Sequence, residues 1–298
     1  MIKSVRTIIS LTVLGGVLAG CGSSGAHRTG TAALPPQPST AASSSAPGTE
    51  PPVPARGPKG LTPVFERRAG DSAPGSAPQG SRDAAGRTGK VVALTFDADM
   101  TADQGPRAAE GERFDNPALI ASLRRMKVPS TVFMTGRWAQ EYPEQARSIG
   151  NDPLFEIGNH SFSHYAFATP CYGLPAVDEA DMRGDVERAF TAIRGTGARN
   201  VVPYFRFPGG CYDDVALKAL GPTGVTAVQW DVVSGDAFAT DADAVAEQVL
   251  EGVRPGSLVV MHCTRSAAPV TEEALRRIVP ELRERGYRFV KVSGLMRP

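Results

Sequence analysis

The sequence predicts an irregular barrel of seven β/α units, preceded by a leader and a linker outside the barrel. Three observations carry the prediction. Short apolar strand-like runs alternate with amphipathic helical patterns from Lys90 to Pro298, that stretch has the length of one large domain, and polar clusters recur where the strand-like runs end. The alternation implies parallel pairing with right-handed crossovers. A doubly wound open sheet is the competing arrangement.

The chain opens with Lys3 and Arg6 ahead of an apolar stretch from Ile8 to Leu18. That run is too short to span a bilayer but suits the hydrophobic region of an export signal. It closes on Leu18-Ala19-Gly20-Cys21, which resembles a bacterial lipobox and implies lipidation of Cys21. Residues 1–21 are therefore read as a lipoprotein signal peptide, and the mature chain as extracytoplasmic and held to the bacterial cell membrane by lipid alone.

Residues 22–89 are dominated by Pro, Ser, Ala, Gly and Thr, too poor in apolar surface to offset the entropy of ordering. They are expected to form a disordered spacer with an end-to-end distance of roughly 45 Å. The small apolar island at 61–65 is read as a transient contact rather than a docking motif. Thirty-two basic against 31 acidic residues leave a formal charge of +1, which gives no footprint for nucleic acid or an anionic membrane.

Within 90–298, strands are expected at 91–96, 130–134, 154–158, 204–207, 225–230, 257–261 and 288–292. Asn116 followed by Pro117 marks a helix start. Thr240 with Asp243 precedes the spaced Val245, Val249 and Val253, and Gly256 is the expected terminator. Thr271 begins a helix whose Leu275, Ile278, Val279 and Leu282 share a face, with a kink expected at Pro280.

In a barrel, chemistry gathers at the carboxyl ends of the strands. Thr95-Phe96-Asp97-Ala98-Asp99-Met100 follows the first, and Asn159-His160-Ser161-Phe162-Ser163-His164 the third. Arg206-Phe207-Pro208-Gly209-Gly210 ends the fourth, Asp231 and Asp236 follow the fifth, and His262 ends the sixth. Three of the four histidines thus lie on one rim. Two histidines four apart on a helical turn can face one ion, and a nearby carboxylate would complete an open, three-ligand site. A divalent metal in such a site acidifies water and polarises a carbonyl, which suits amide or ester hydrolysis.

Taken together, these five motifs resemble the polysaccharide deacetylases with the NodB homology domain, also called carbohydrate esterase family 4, over essentially all of 90–298. The resemblance implies the NodB type of (β/α)7 barrel and a metal-dependent hydrolase that removes acetyl groups from an N-acetylated or O-acetylated polysaccharide. A cell-wall or surface glycan is favoured by the tether. It implies Asp97 as general base, Arg206 as its ion-pair partner, the Gly209 amide as oxyanion donor, His262 as proton donor, and Asp236 as the support of His262. His160 and His164 would bind the metal. Imidazole plus carboxylate suits zinc, with cobalt or nickel as alternatives.

The chain departs from the family pattern at three places. Ala98 stands where the metal-binding Asp is usual, Gly209 where an aromatic residue is common, and Ala237 where a tryptophan is. A regular strand turns Asp97 and Asp99 to the same face, so Asp99 is the proposed third ligand; otherwise Asp99 caps the loop and the metal has two histidines plus water. Phe238 is expected to fill part of the space left at Ala237, and Phe207, Trp230 and Phe238 are candidates for a sugar groove. Cys171 and Cys211 follow adjacent strands and are the favoured disulfide, leaving Cys263 free. Two other readings remain: a catalytically impaired carbohydrate-binding lipoprotein of the same fold, and an amidase acting on a small non-sugar amide.

Overall fold

The computed structural model describes residues 51–53, 60–68 and 89–297. Cys21, the leader 1–21 and most of the linker 22–89 lie outside the described residues. Among those described, no helix is long and apolar enough to cross a membrane.

Nine strands form one sheet: β1 (Val64–Phe65), β2 (Lys90–Ala98), β3 (Ser130–Met134), β4 (Phe155–Asn159), β5 (Val201–Phe205), β6 (Thr226–Val228), β7 (Val232–Val233), β8 (Ser257–His262) and β9 (Tyr287–Phe289). The order is β1-β6-β5-β4-β3-β2-β8-β7, with β9 joining the start of β2, and every pairing is parallel. From β2 to β6 each strand steps to the same side of the one before. That winding curls the sheet into the half-barrel of the NodB type and leaves no reversal point of the kind a doubly wound sheet requires.

All seven expected strands are present, with shifts of one to three residues at most ends. The last one closes at Phe289, because the apolar Val292 packs into α9 (Val292–Leu295) instead. The short β1 was not foreseen. Leu61 and Val64 pack against the cluster around Phe205, Phe207 and Leu217, and β1 pairs Val64 with Ala227 and Phe65 with Val228. The expected transient contact is corrected to an edge strand, and the linker boundary at 89 with it: residues 60–67 belong to the folded body because their apolar side chains find a complementary face.

The helices are α1 (Gln104–Ala109), α2 (Pro117–Arg125), α3 (Gly136–Glu141), α4 (Pro143–Gly150), α5 (Glu179–Gly195), α6 (Asp214–Leu220), α7 (Ala242–Gly252), α8 (Thr271–Glu284) and α9. Asn116 caps α2 by accepting from the Leu119 amide, as its type and the following proline imply. The cap of α7 is Asp241 rather than Thr240, accepting from the Asp243 and Ala244 amides. Gly256 does not end that helix but turns the chain into β8 with φ +87°. α8 runs on past Pro280, which is exposed along with Arg276, so the carbonyl that the proline leaves without a donor faces solvent.

Strand β2 sorts its side chains in a way that decides the site. Val92, Leu94, Phe96 and Ala98 face a large cluster with Leu119, Trp138 and Ile278. Val91 and Ala93 face a second cluster with Phe133, Tyr204 and Leu258. Period-two alternation places Thr95 and Asp97 above that second column, at the carboxyl end. Trp138 fixes α3 beneath the rim, its indole N–H donating to the Phe114 carbonyl at 2.7 Å.

Candidate active site

Asp97 is buried at the end of β2, and its Oδ1 accepts from Arg206 Nη1 at 2.7 Å. Arg206 itself is wholly buried. Its Nε donates to the Val228 carbonyl at 3.1 Å and its Nη2 to the Gln229 carbonyl at 3.4 Å, while its guanidinium lies 4.1 Å from the Phe133 ring centre and 5.4 Å from that of Trp230. Burial draws the Arg206 pKa down against the opposing pull of Asp97. The group is nevertheless a guanidinium at any working pH. A planar cation packed against two aromatic rings and bonded at its nitrogens holds the carboxylate at one position.

The other oxygen of Asp97, Oδ2, lies 3.7 Å from His160 Nε2. His160 Nδ1 is 3.0 Å from the Arg206 carbonyl, which can only accept, so Nδ1 carries a proton and Nε2 is the nitrogen turned toward Asp97. Asp99 Oδ2 lies 3.6 Å from His164 Nε2, and the two imidazole rings are 5.0 Å apart. Burial, with the neighbouring His160 adding to it against the attraction of Asp99, holds His164 down at about 4, so this ring is neutral. Burial works against ionisation of Asp99, but His164, His262 and the Thr264 hydroxyl outweigh it and keep the carboxyl below its usual range.

His160 and His164 do not share a helical turn as expected. They lie on a loop in which Ser161 and His164 adopt φ of +69° and +59°. Side chains supply the hydrogen bonds that a helix would have given: Asn159 accepts from the Ser161 amide, Ser161 Oγ from the His164 amide, and Asp185 from the amides of Phe162 and Ser163. Asp185 was missed by the sequence reading. A charged residue at a core-facing position of the amphipathic α5 was the available signal.

The departure at Ala98 has a structural counterpart. Ala98 points into the helix-side cluster, and Asp99 is the next residue able to face the histidines. Thr264 accepts from the Asp99 amide and donates to its carboxylate, while Thr135 Oγ1 accepts from the Met100 amide at 3.1 Å. These hydroxyls fix the turn beyond β2 and were also missed.

Tetrahedral ligation at zinc-like distances separates two donors by about 3.4 Å. The His164 to Asp99 gap of 3.6 Å meets that, and each imidazole turns its Nε2 toward a carboxylate. Among the described residues no trio of His, Cys, Asp or Glu side chains is already gathered around one point; the donors stand as two pairs. The donor chemistry fits a divalent cation, and Asp99, His160 and His164 are the residues that could hold one.

His262 closes β8, with a quarter of its side chain exposed. Its Nδ1 lies 2.8 Å from Asp236 Oδ1, and its own amide donates to Asp236 Oδ2 at 2.7 Å. Ser234 Oγ and Thr271 Oγ1 donate to the same carboxylate. Burial alone would lower the imidazole, but the hydrogen bond and charge of Asp236, with Asp99 and Asp97 adding, raise it to about 9. Asp236, for which burial is again outweighed by its donors, is held below its usual range. Asp231 instead accepts from Ser257 and the Leu258 amide and serves the strand junction.

Gly209 follows β5 with φ +63°, and a side chain there would meet Cys171 Sγ at 2.6 Å. Cys171 and Cys211 form a disulfide. Cys263 is free, and burial pushes its thiol up to about 12, which removes it as a nucleophile. One groove candidate, Phe207, and the space-filling role expected of Phe238 are corrected. Phe207 is wholly buried against Phe167 and Phe205, and Phe238 stands 84% exposed instead of filling the space beside Ala237.

The sequence profile of the polysaccharide deacetylase family matches residues 84–228. A chitooligosaccharide deacetylase from Sinorhizobium fredii is 29% identical over 198 residues, covering 63% of this chain and 86% of the relative. Among solved structures, a family 4 acetyl xylan esterase from Clostridium thermocellum in complex with a cobalt ion superposes with a TM-score of 0.55 at 25% identity, covering 70% of this chain and 90% of the other. A CE4 family pseudoenzyme from Bacillus anthracis superposes with a TM-score of 0.58 at 24% identity, covering 78% and 69%, and shares the fold.

Proposed function

The chain belongs to the polysaccharide deacetylase family, and on that premise we propose that it hydrolyses acetyl groups on an N-acetylated or O-acetylated glycan, with cell-wall or surface polysaccharide as its substrate class. One observation carries the reading. A buried carboxylate locked by a buried arginine and a histidine held protonated by a second carboxylate flank the His160 and His164 imidazoles.

Asp97, aimed by Arg206, takes the proton of the attacking water. The Gly209 amide donates to the oxygen of the tetrahedral oxyanion. His262 enters the cycle as an imidazolium because Asp236 raises it to about 9, and it gives its Nε2 proton to the departing amine or alkoxide. Asp99, His160 and His164 would hold a divalent cation, zinc first with cobalt or nickel as alternatives, which when bound supplies Lewis-acid polarisation of a carbonyl and acidifies water. The lipobox-like Cys21 supports placing this domain outside the cytoplasm on a lipid anchor, within reach of wall glycans.

The test is acetate release from chitooligosaccharides, peptidoglycan and acetylated xylan by full-length protein, metal-stripped and then reconstituted. Release that appears only with metal supports the reading, and no release from any of these glycans refutes it. Ala98 favours one second reading, a glycan-binding protein with impaired catalysis, in which reconstituted protein binds oligomers and releases nothing. Release from small non-sugar amides in place of glycans would favour an amidase.

A further inference from the structure

Among the described residues, only two exposed large apolar side chains are aromatic, Tyr172 at 90% and Phe238 at 84%. Both also adopt positive φ, +47° and +60°, a conformation that bulky residues avoid. Tyr172 is the better defined of the two. The Leu174 amide donates to the Cys171 carbonyl at 2.8 Å, and the two residues between them have φ of +47° and +76°, the signature of a type I′ turn. The first central position of such a turn belongs to Asn, Asp or Gly. A tyrosine there opposes the local preference, and at 90% exposure it recovers nothing by packing. Such a residue points to a ligand that covers the ring.

The turn is fastened at both ends. Ala166 and Ala176 bridge its base, through the Ala166 amide on the Pro175 carbonyl and the Val177 amide on the Ala166 carbonyl. The Cys171–Cys211 disulfide ties its tip to the loop that carries Gly209. A Cβ at Gly209 would lie 3.4 Å from Tyr172 Cδ2, so the ring stands over the position three residues after Arg206. The space that a side chain at 209 would take is held by the disulfide and this turn.

We propose that Tyr172, presented by the disulfide-fastened turn above Gly209, is the aromatic wall on which a sugar ring of the glycan stacks, supplying from residue 172 the ring missing at 209. This rests on the deacetylase reading for the identity of the ligand as a glycan. A tyrosine offers a broad, rigid face and a hydroxyl with few rotamers to freeze, which suits the C–H face of a pyranose.

The experiment compares full-length wild type, Tyr172→Asn and Tyr172→Phe, reading KM and kcat for acetate release from a tetramer of N-acetylglucosamine, the Kd of the same tetramer by calorimetry, and Tm. Tyr172→Asn gives the turn its preferred residue, so Tm should hold or rise while KM and Kd rise about threefold to tenfold and kcat changes less. Tyr172→Phe should restore KM and Kd. A purely structural Tyr172 predicts the opposite split, and unchanged KM and Kd in Tyr172→Asn overturn the proposal. Wild type that binds the tetramer but releases no acetate refutes the hydrolase, and Kd still decides Tyr172; wild type that neither binds nor cleaves overturns both.

Discussion

Replacing Asp236 with Asn probes the proton donor without touching the base or the metal-facing groups. The Asp236 carboxylate accepts four hydrogen bonds: from His262 Nδ1 and Ser234 at one oxygen, and from the His262 amide and Thr271 at the other. Asparagine keeps one accepting oxygen, so two buried donors lose their partner at about 1–3 kcal/mol each. It also weakens the hydrogen bond and removes the charge that together chiefly raise His262 from 6.5 to about 9, an increment worth about 3 kcal/mol in favour of the protonated ring. In wild type the high-pH limb of kcat/KM should fall near 9. In Asp236→Asn it should move down by roughly one to two pH units, with Asp99 and Asp97 retaining part of the effect. Stability gives an independent check. A histidine raised on folding stabilises fully below pH 6.5 and loses that contribution as pH rises through 9, so the deficit in Tm should be widest at low pH and narrow across this window. A limb that stays in place, with a pH-independent deficit, would refute the assignment of His262 as the acid kept charged by Asp236.

Asp97→Asn should abolish acetate release and lower stability by about 3–5 kcal/mol, because Arg206 is left as a buried charge without its counter-ion; turnover and denaturant melts check both. Asp99→Ala should weaken binding of zinc or cobalt by at least tenfold while Tm falls modestly, and titration with a chromogenic chelator reads it; unchanged affinity would return Asp99 to the role of a loop cap. Gly209→Ala places a Cβ against Cys171 Sγ at a φ of +63°, so thermal melts should show a loss of about 1–3 kcal/mol.

The barrel was legible because strand and helix periods alternate cleanly, and a carboxyl-end rim follows from parallel topology alone. Asp97, His160, Arg206 and His262 stood out as polar residues ending apolar runs. What stayed hidden was tertiary in origin. The histidine loop reads as a helical turn until Asp185, more than twenty residues away in the sequence, is seen to take its amides. Thr264 and Thr135 are ordinary hydroxyls until folding brings them to the Asp99 turn. Phe207 and Phe238 look alike beside their motifs, and only packing sends one into the core and the other into solvent.

The pairing of Val64–Phe65 with β6 has a consequence for the margin of the sheet. Those two residues cover the backbone donors and acceptors of a strand that would otherwise form the open margin of the sheet, where another chain could add itself. The segment that precedes β2 thus also guards the sheet against self-association. A chain trimmed to start at Lys90 would lose that guard and present a body prone to stick to its own copies.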